Sequence, residues 1–156
     1  MNDIFINKMI NNCINYDHDL QSKHIATILL GKIQITKFHY NYRRYKTLHL
    51  YTGTIHAEVG ALKELLSFVN CRLKNLKNIK PLKKLSKYSI VVLRVNSDGK
   101  LLNSKPCYHC LQILKKIGIS KIYYSTEDGE IEVKKIKNMN TDHYSRLKRS
   151  NHIQKS

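Results

Sequence analysis

The sequence predicts an α/β domain, and three observations lead to it. β-branched apolar runs such as Ile90-Val91-Val92-Leu93 read as buried strands. Segments from Ala57 to about Asn70 and from Cys107 to Ile117 space their apolar residues three and four apart, as helices do. Turn signals rich in Gly, Asn and Asp separate these runs. A chain of 156 residues is long enough for one domain with a proper core. That single domain spans 1–156, with a core of about 20–137, a basic insert at 70–87 and a basic tail at 138–156.

Taken in order, Phe5 to Cys13 carries Ile6, Met9, Ile10 and Cys13 on one helical face, which suits a covering helix. Asp17-His18-Asp19 reads as a loop. His24–Leu30 and Ile33–His39 are two strands joined at Gly31-Lys32, a hairpin. In the helix from Ala57, the stripe Val59, Leu62, Leu65, Leu66 and Val69 is core. Arg72, Lys74, Lys77, Lys80, Lys83, Lys84 and Lys87 cluster around Pro81, either a nucleic-acid-binding insert or a solvated surface loop, and the lack of interleaved aromatics favours the loop. Tyr88–Val95 is the expected central strand, Asn96-Ser97-Asp98-Gly99 a turn, and Lys100–Asn103 a short return. Gly118 stops the helix that carries Leu111, Ile113, Leu114 and Ile117. Ile119–Ser125 is a strand, Glu127–Glu130 a hairpin turn, and Ile131–Ile136 the last strand, antiparallel to its predecessor. The segment from Thr141 onward is polar and basic, either a short helix or disordered.

Chemistry concentrates in two short motifs. Thr54-Ile55-His56-Ala57-Glu58 opens one helix and Lys105-Pro106-Cys107-Tyr108-His109-Cys110 opens another. A lone Cys-x-x-Cys is often half of a structural zinc site or a redox pair. A lone His-Ala-Glu can be an ordinary helix start, with Glu58 favoured by the macrodipole. Together they say more. Cys107 and Cys110 share one side of a first helical turn, and two helix N-termini favour thiolate and hydroxide there. Cys13 and Cys71 stand alone, so a closed four-cysteine site lacks its second pair. One histidine nitrogen and two thiolates supply three zinc ligands and leave the fourth position to water. Glu58 is better read as a proton shuttle than as a ligand, since ligation would close the site. His109, between the cysteines, reads as a surface residue.

His-x-Glu followed by Pro-Cys-x-x-Cys resembles the cytidine deaminase-like superfamily of zinc enzymes, on the side that uses histidine as its third ligand. The resemblance runs from about Ile25 to Ile136. It implies a three-layer α/β/α fold with a mixed five-stranded sheet and one Zn²⁺ per chain. His56, Cys107 and Cys110 would be the metal ligands, with Glu58 catalytic. It further implies substrate contacts from Asn41, at the end of the opening hairpin, and from Ala57 and Pro106 near the exocyclic group. Tyr40, Tyr42 and Tyr45 are candidates for base stacking, and Arg43 and Arg44 for phosphate. The interval between Glu58 and Pro106 is longer than usual in the family, and the excess lies in the basic insert. The histidine ligand and the terminal hairpin point to different branches of the superfamily, so the substrate stays open on this ground.

The implied reaction is hydrolytic deamination of the base of a nucleoside or nucleotide, most simply of cytidine or deoxycytidylate type. The alternatives are deamination of a base within RNA or DNA, and a catalytically silent zinc-containing module that binds nucleic acid. A formal net charge of +17, from 28 basic and 11 acidic residues, favours an anionic partner without choosing between nucleotide and RNA or DNA. An AT-rich genome would enrich Lys, yet it would not deplete Asp and Glu. Homo-oligomers are common in the resembled family, but the sequence shows no interface. No apolar run approaches membrane-spanning length, no signal peptide is evident and the cysteines form no disulfide framework. An intracellular, cytoplasmic protein without membrane contact is the expectation.

Overall fold

The computed structural model of the chain describes residues 1–17, 22–45, 51–69 and 83–144. Its order is α1 (Asp3–Asn15), β1 (Lys23–Leu30), β2 (Ile33–Gln34), β3 (His39–Tyr40), β4 (Tyr42–Tyr45) and β5 (Tyr51–Ile55). Then come α2 (Ala57–Phe68), β6 (Tyr88–Val95), β7 (Leu101–Leu102), α3 (Tyr108–Ile117), β8 (Lys121–Ser125) and β9 (Ile131–Lys135). Single 3₁₀ turns cover Lys83–Lys87 and Ile136–Asn138.

The spine of the sheet runs β2-β1-β6-β8-β9, with β3 also pairing with β1 and β7 with β6. β1 and β6 are antiparallel from Lys23 opposite Val95 to Leu30 opposite Tyr88. β6 and β8 are parallel, and α3 precedes β8 as their crossover. β8 and β9 are antiparallel, from Ser125 opposite Ile131 to Lys121 opposite Lys135, as the Glu127–Glu130 turn predicts. Gly129 closes that turn at φ 81°, a left-handed conformation that side-chain-bearing residues resist.

Alternation along the two central strands divides the core. Ala26, Ile28, Ile90 and Val92 face α2 and α3, where they meet Leu62, Leu65, Leu111 and Leu114. Ile25, Leu29, Val91 and Leu93 face the other way and meet Ile6, Met9 and Cys13 of α1. The result is three layers, helix, sheet and two helices, as expected. β6 is buried along nearly its whole length because both its faces are covered.

The sheet has seven strands where five are expected, and the extra ones have a physical cause. The expected return strand Ile33–His39 is split into β2 and β3, both antiparallel to β1. Between them Thr36 turns inward: its hydroxyl accepts the Ile28 N–H at 2.9 Å, and its carbonyl accepts the Thr27 hydroxyl at 3.0 Å. A side chain thus takes over part of the ladder and interrupts the strand. Lys100–Asn103 supplies the short β7. The β4–β5 ribbon, with Tyr42 opposite Ile55, carries the chain from Asn41 to His56. Its strands lie where the sequence shows only a basic, tyrosine-rich stretch.

The second helix ends at Phe68 with Val69 as its cap, so Asn70 and most of the basic insert lie outside the described residues. Of that insert, Lys83–Lys87 forms a 3₁₀ turn that buries Leu85 completely. Among the described residues no helix is long and apolar enough to cross a membrane.

Candidate metal centre and active site

Two helix N-caps face each other. His56 is the N-cap of α2 and Cys107 the N-cap of α3, both with extended backbone and neither making a side-chain capping bond. Ser, Thr, Asp or Asn would stabilise such positions better. Here the capping residues turn their side chains toward one another instead. His56 Nδ1 stands 3.2 Å from Cys110 Sγ and 3.6 Å from Cys107 Sγ.

The ligand atoms of His56, Cys107 and Cys110 all lie within 4.8 Å of one another. A tetrahedral zinc with Zn–S of about 2.3 Å and Zn–N of about 2.0 Å sets its nitrogen and sulfur ligands roughly 3.5 Å apart. The observed separations and the nitrogen-plus-two-sulfur donor set therefore fit a metal ion of this type. Both cysteines are buried and His56 is half-buried, a setting with little water to compete for the ion.

Without a metal, this trio shares protons. The hydrogen bond from Cys110, then that of His56, brings the Cys107 thiol down to about 3 against the opposing effect of burial. Bonding to Cys107 raises His56 to about 9. Cys110 is pushed well up, first by Cys107 and then by burial, and so keeps its proton. A thiolate beside a helix N-terminus and an imidazolium is a ready metal ligand.

Glu58, two residues after His56, is 4% exposed. Burial raises its carboxyl above the ordinary range, while His56 pulls the other way. A buried carboxyl beside the ligand cluster, with raised proton affinity, has the makings of a proton carrier. Ala57 is fully buried between His56 and Glu58, and Pro106 is buried directly before Cys107. The structure thus gathers His56, Ala57, Glu58, Pro106, Cys107 and Cys110 at the two helix starts. His109 is half-buried rather than on the surface, its ring edge-on to Tyr108. It does not belong to the ligand cluster.

Asn41 lies at the entry to β1, held by the chain itself. It is 6% exposed, and both ends of its amide are engaged: Oδ1 accepts the His24 N–H and Nδ2 donates to the Ser22 carbonyl, each at 2.8 Å. Tyr40 stacks on Tyr16 at 3.8 Å with nearly parallel rings, so one face of that ring is taken. Tyr42 is exposed. The side chains of Arg43, Arg44 and Tyr45 lie outside the described residues. Tyr123 packs against the α1 side of the core.

Several site residues escape sequence reasoning. Ser104 and Ser125 seat the cysteine loop on the sheet. The Ser104 hydroxyl donates to the Val92 carbonyl at 2.7 Å and accepts the Ser125 N–H at 2.8 Å, while Ser104 N–H donates to the Ser125 carbonyl at 2.9 Å. The Ser125 hydroxyl donates to the Leu102 carbonyl at 2.6 Å. Both serines are buried, and no local pattern in the sequence marks them for it. His143 accepts the Tyr108 N–H at 2.8 Å through its carbonyl, so the start of the basic tail folds over the first turn of α3. His24 and Arg94 lie opposite each other on β1 and β6, and the His24 imidazole feels both His56 and Cys107. Burial, with Arg94 and His56 adding to it, lowers His24 to about 3, so the imidazole is neutral. An open groove of about 360 Å³ lies apart from the ligands, lined by Lys105, Tyr124, Glu132 and Lys134 among others.

No family model matches the chain, and no curated protein does. Among solved structures, a crystal structure of cytidine deaminase from Burkholderia pseudomallei is similar, with a TM-score of 0.55 and 15% sequence identity over 92% of this chain and 99% of that one. Identity that low speaks for backbone architecture and not for substrate. The chain has the three-layer α/β/α architecture of the cytidine deaminase-like fold, with a His-Cys-Cys metal-type cluster at its paired helix starts.

Proposed function

We propose that the protein is a zinc-dependent hydrolytic deaminase acting on the base of a nucleoside or nucleotide, of cytidine or deoxycytidylate type. The observation that carries this reading is the convergence of His56 Nδ1 with Cys107 and Cys110 Sγ, with the buried Glu58 carboxyl beside them. His56, Cys107 and Cys110 would hold the zinc. When bound, zinc supplies Lewis acidity that makes water a nucleophile near neutral pH.

The chain's own residues do the rest. Glu58 accepts a proton from the attacking water, donates it to the ring nitrogen and finally assists the departing amine. The ring carbon exchanges its exocyclic amino group for oxygen, consuming one water and releasing one ammonia. Ala57 and Pro106 form the wall beside the amino group and exclude water from it. Asn41 fixes His24 and Ser22 and from there contacts the substrate.

A second reading, deamination of a base within RNA or DNA, draws on the net charge of +17. Steep loss of substrate binding with added salt would favour it, since counterion release scales with the phosphates contacted. A silent nucleic-acid-binding zinc module has no use for a buried carboxylate at Glu58.

The test is ammonia release by the zinc-loaded protein from cytidine, deoxycytidine, their monophosphates, adenosine, guanine and short single strands, each beside Glu58→Gln. Turnover of a free nucleoside or nucleotide that disappears in Glu58→Gln, with zinc content unchanged, supports the proposal. Equal turnover in Glu58→Gln removes the proton-carrier role. Zinc-loaded protein that releases ammonia from nothing in the panel overturns the proposal.

A further inference from the structure

Among the described residues Arg94, at the edge of the site, is a cation with no carboxylate paired to it. Its Cα lies opposite that of His24 in the β1–β6 pair, and by alternation both side chains share the face that carries Ala26 and Val92. That is the face covered by α2 and α3, and Arg94 sits one pleat beyond Val92 toward the helix starts that bear His56 and Cys107. Arg94 is half-buried. It donates Nε–H to the Ser22 hydroxyl at 2.7 Å, which fixes the guanidinium plane. Among the described residues no carboxylate pairs with it and its two terminal nitrogens have no acceptor.

A half-buried guanidinium without a partner is costly to keep, and a bound anion compensates that cost. Its planar fork suits phosphate in particular, because two parallel N–H groups meet two oxygens. Among the described residues no carboxylate opposes the charge, and the Cys107 thiolate felt by His24 is reserved for the metal. Beside it stand the neutral His24 imidazole and the Ser22 hydroxyl, which is already engaged.

We propose that Arg94 is a specificity-determining residue that binds a phosphate monoester on the substrate, so that the base presented to the metal centre belongs to a nucleotide. Ser22 holds the guanidinium in place, and its terminal nitrogens grip two phosphate oxygens. This assignment rests on the deaminase reading for the orientation of the base, but the binding step does not need turnover.

The experiment measures binding to zinc-loaded Glu58→Gln protein, which cannot turn over under the proposed mechanism. Cytidine, deoxycytidine, adenosine and guanosine are compared with their 5′-monophosphates, and a dinucleoside monophosphate supplies the diester arm. The monophosphate of at least one base binds about tenfold or more tighter than its nucleoside, as expected for charge-assisted bonds. Glu58→Gln/Arg94→Ala loses that ratio and Glu58→Gln/Arg94→Lys recovers part of it, with zinc content as the check on folding. A ratio near one in the parent, a ratio that survives Arg94→Ala, or no monophosphate binding at all overturns the proposal. A diester that gains as much as the monoester also overturns it and points to strands. Ammonia release by unaltered Glu58 protein is scored separately. Phosphate-selective binding through Arg94 without turnover would sink the deaminase reading and leave the anion site standing, while turnover that ignores phosphate would do the reverse.

Discussion

Asn41 and His24 are bonded through both backbone and side chain: Asn41 Oδ1 accepts the His24 N–H at 2.8 Å, and Asn41 N–H donates to the His24 carbonyl at 3.3 Å. With Nδ2 also donating to Ser22, the amide closes the entry to β1. Asn41→Ala should therefore destabilise the fold by roughly 2–3 kcal/mol, since two buried bonds go and their partners are left unpaired. Asn41→Asp keeps the acceptor for His24 and loses only the donor to Ser22, so it should cost less. Denaturant unfolding of both variants decides it. A variant with parental stability but poor substrate binding would leave Asn41 as a substrate contact without a structural role.

Gly60 and His39 set a second constraint. A Cβ on Gly60 would lie 2.8 Å from His39 Nδ1 and 3.2 Å from His39 Cβ. His39 has little freedom to move, because Nε2 is paired with Glu64 at 2.5 Å. Gly60→Ala gains about 1 kcal/mol of helix propensity but overpacks at a cost of roughly 1–3 kcal/mol. The net change should be destabilising, by up to about 2 kcal/mol. In the background of His39→Ala the same change should cost distinctly less, because the contacts with the ring are gone and only the 3.2 Å approach to Cβ at position 39 remains. Thermal melts of the two single variants and the double variant measure this coupling directly. Additive effects would show that His39 does not limit the site.

Much of this architecture is legible in the residues. Tyr88–Val95 announces itself as a buried strand because it is apolar on both faces, and β6 has those bounds. Gly118 marks the end of α3 and adopts φ 92°, as a left-handed cap requires. His56, Cys107 and Cys110 can be read as one group because a metal cluster needs specific side chains at specific offsets, and the structure does bring them together. Polar residues with no motif are less legible. Thr36 looks like one more β-branched strand residue, yet its hydroxyl ends the strand pairing. Ser104 looks like a loop residue and Ser125 like the end of a strand, and only the crossing of β6, β7 and β8 shows why both are buried. Arg94 reads as an ordinary charge in a strand until β1 places His24 opposite it.

Ser104 offers a prediction that separates positioning from ligation. Its hydroxyl holds the Val92 carbonyl and the Ser125 N–H just before Lys105-Pro106-Cys107. Ser104→Ala should cost about 2–3 kcal/mol of stability, because two buried backbone groups lose their partner. It should also weaken zinc retention, on the order of tenfold, as loss of a supporting shell does. Competition with a chelator of known affinity measures that loss, and Ser104→Cys should recover little, sulfur being a weak hydrogen-bonding group. Unchanged zinc affinity alongside lowered stability would confine Ser104 to a folding role.

Metal removal should be felt through the whole domain, because α2 and α3 are joined at their starts by the ligand cluster. At free zinc a thousandfold above the dissociation constant, binding to the folded state alone adds about 4 kcal/mol. Excess chelator should thus lower the melting temperature by several degrees, and readded zinc should restore it. Cys107→Ser should melt near the chelated protein and respond little to zinc. A melting temperature indifferent to chelator would mean that the cluster holds no metal in solution.

Cys13 has the opposite character from the ligand cysteines, and its behaviour should show it. It is fully buried between α1 and the sheet, and burial raises its thiol from 9.0 to about 11, with Lys23 pulling weakly the other way. The thiolate is the reactive form, so alkylation at pH 8 should reach Cys13 only through unfolding, far more slowly than in denaturant. The same shift ties Cys13 to stability. Below pH 9 the thiol is neutral in both folded and unfolded chains, and its contribution is fully present. As pH climbs from 9 toward 11 the unfolded chain ionises first, so that contribution is progressively lost. Cys13→Val cannot ionise and should flatten this part of the stability profile. Peptide mapping after timed alkylation gives the first result, and denaturant midpoints at pH 8, 9 and 10 give the second. Rapid labelling of Cys13 in the folded protein would show that α1 opens from the sheet without global unfolding.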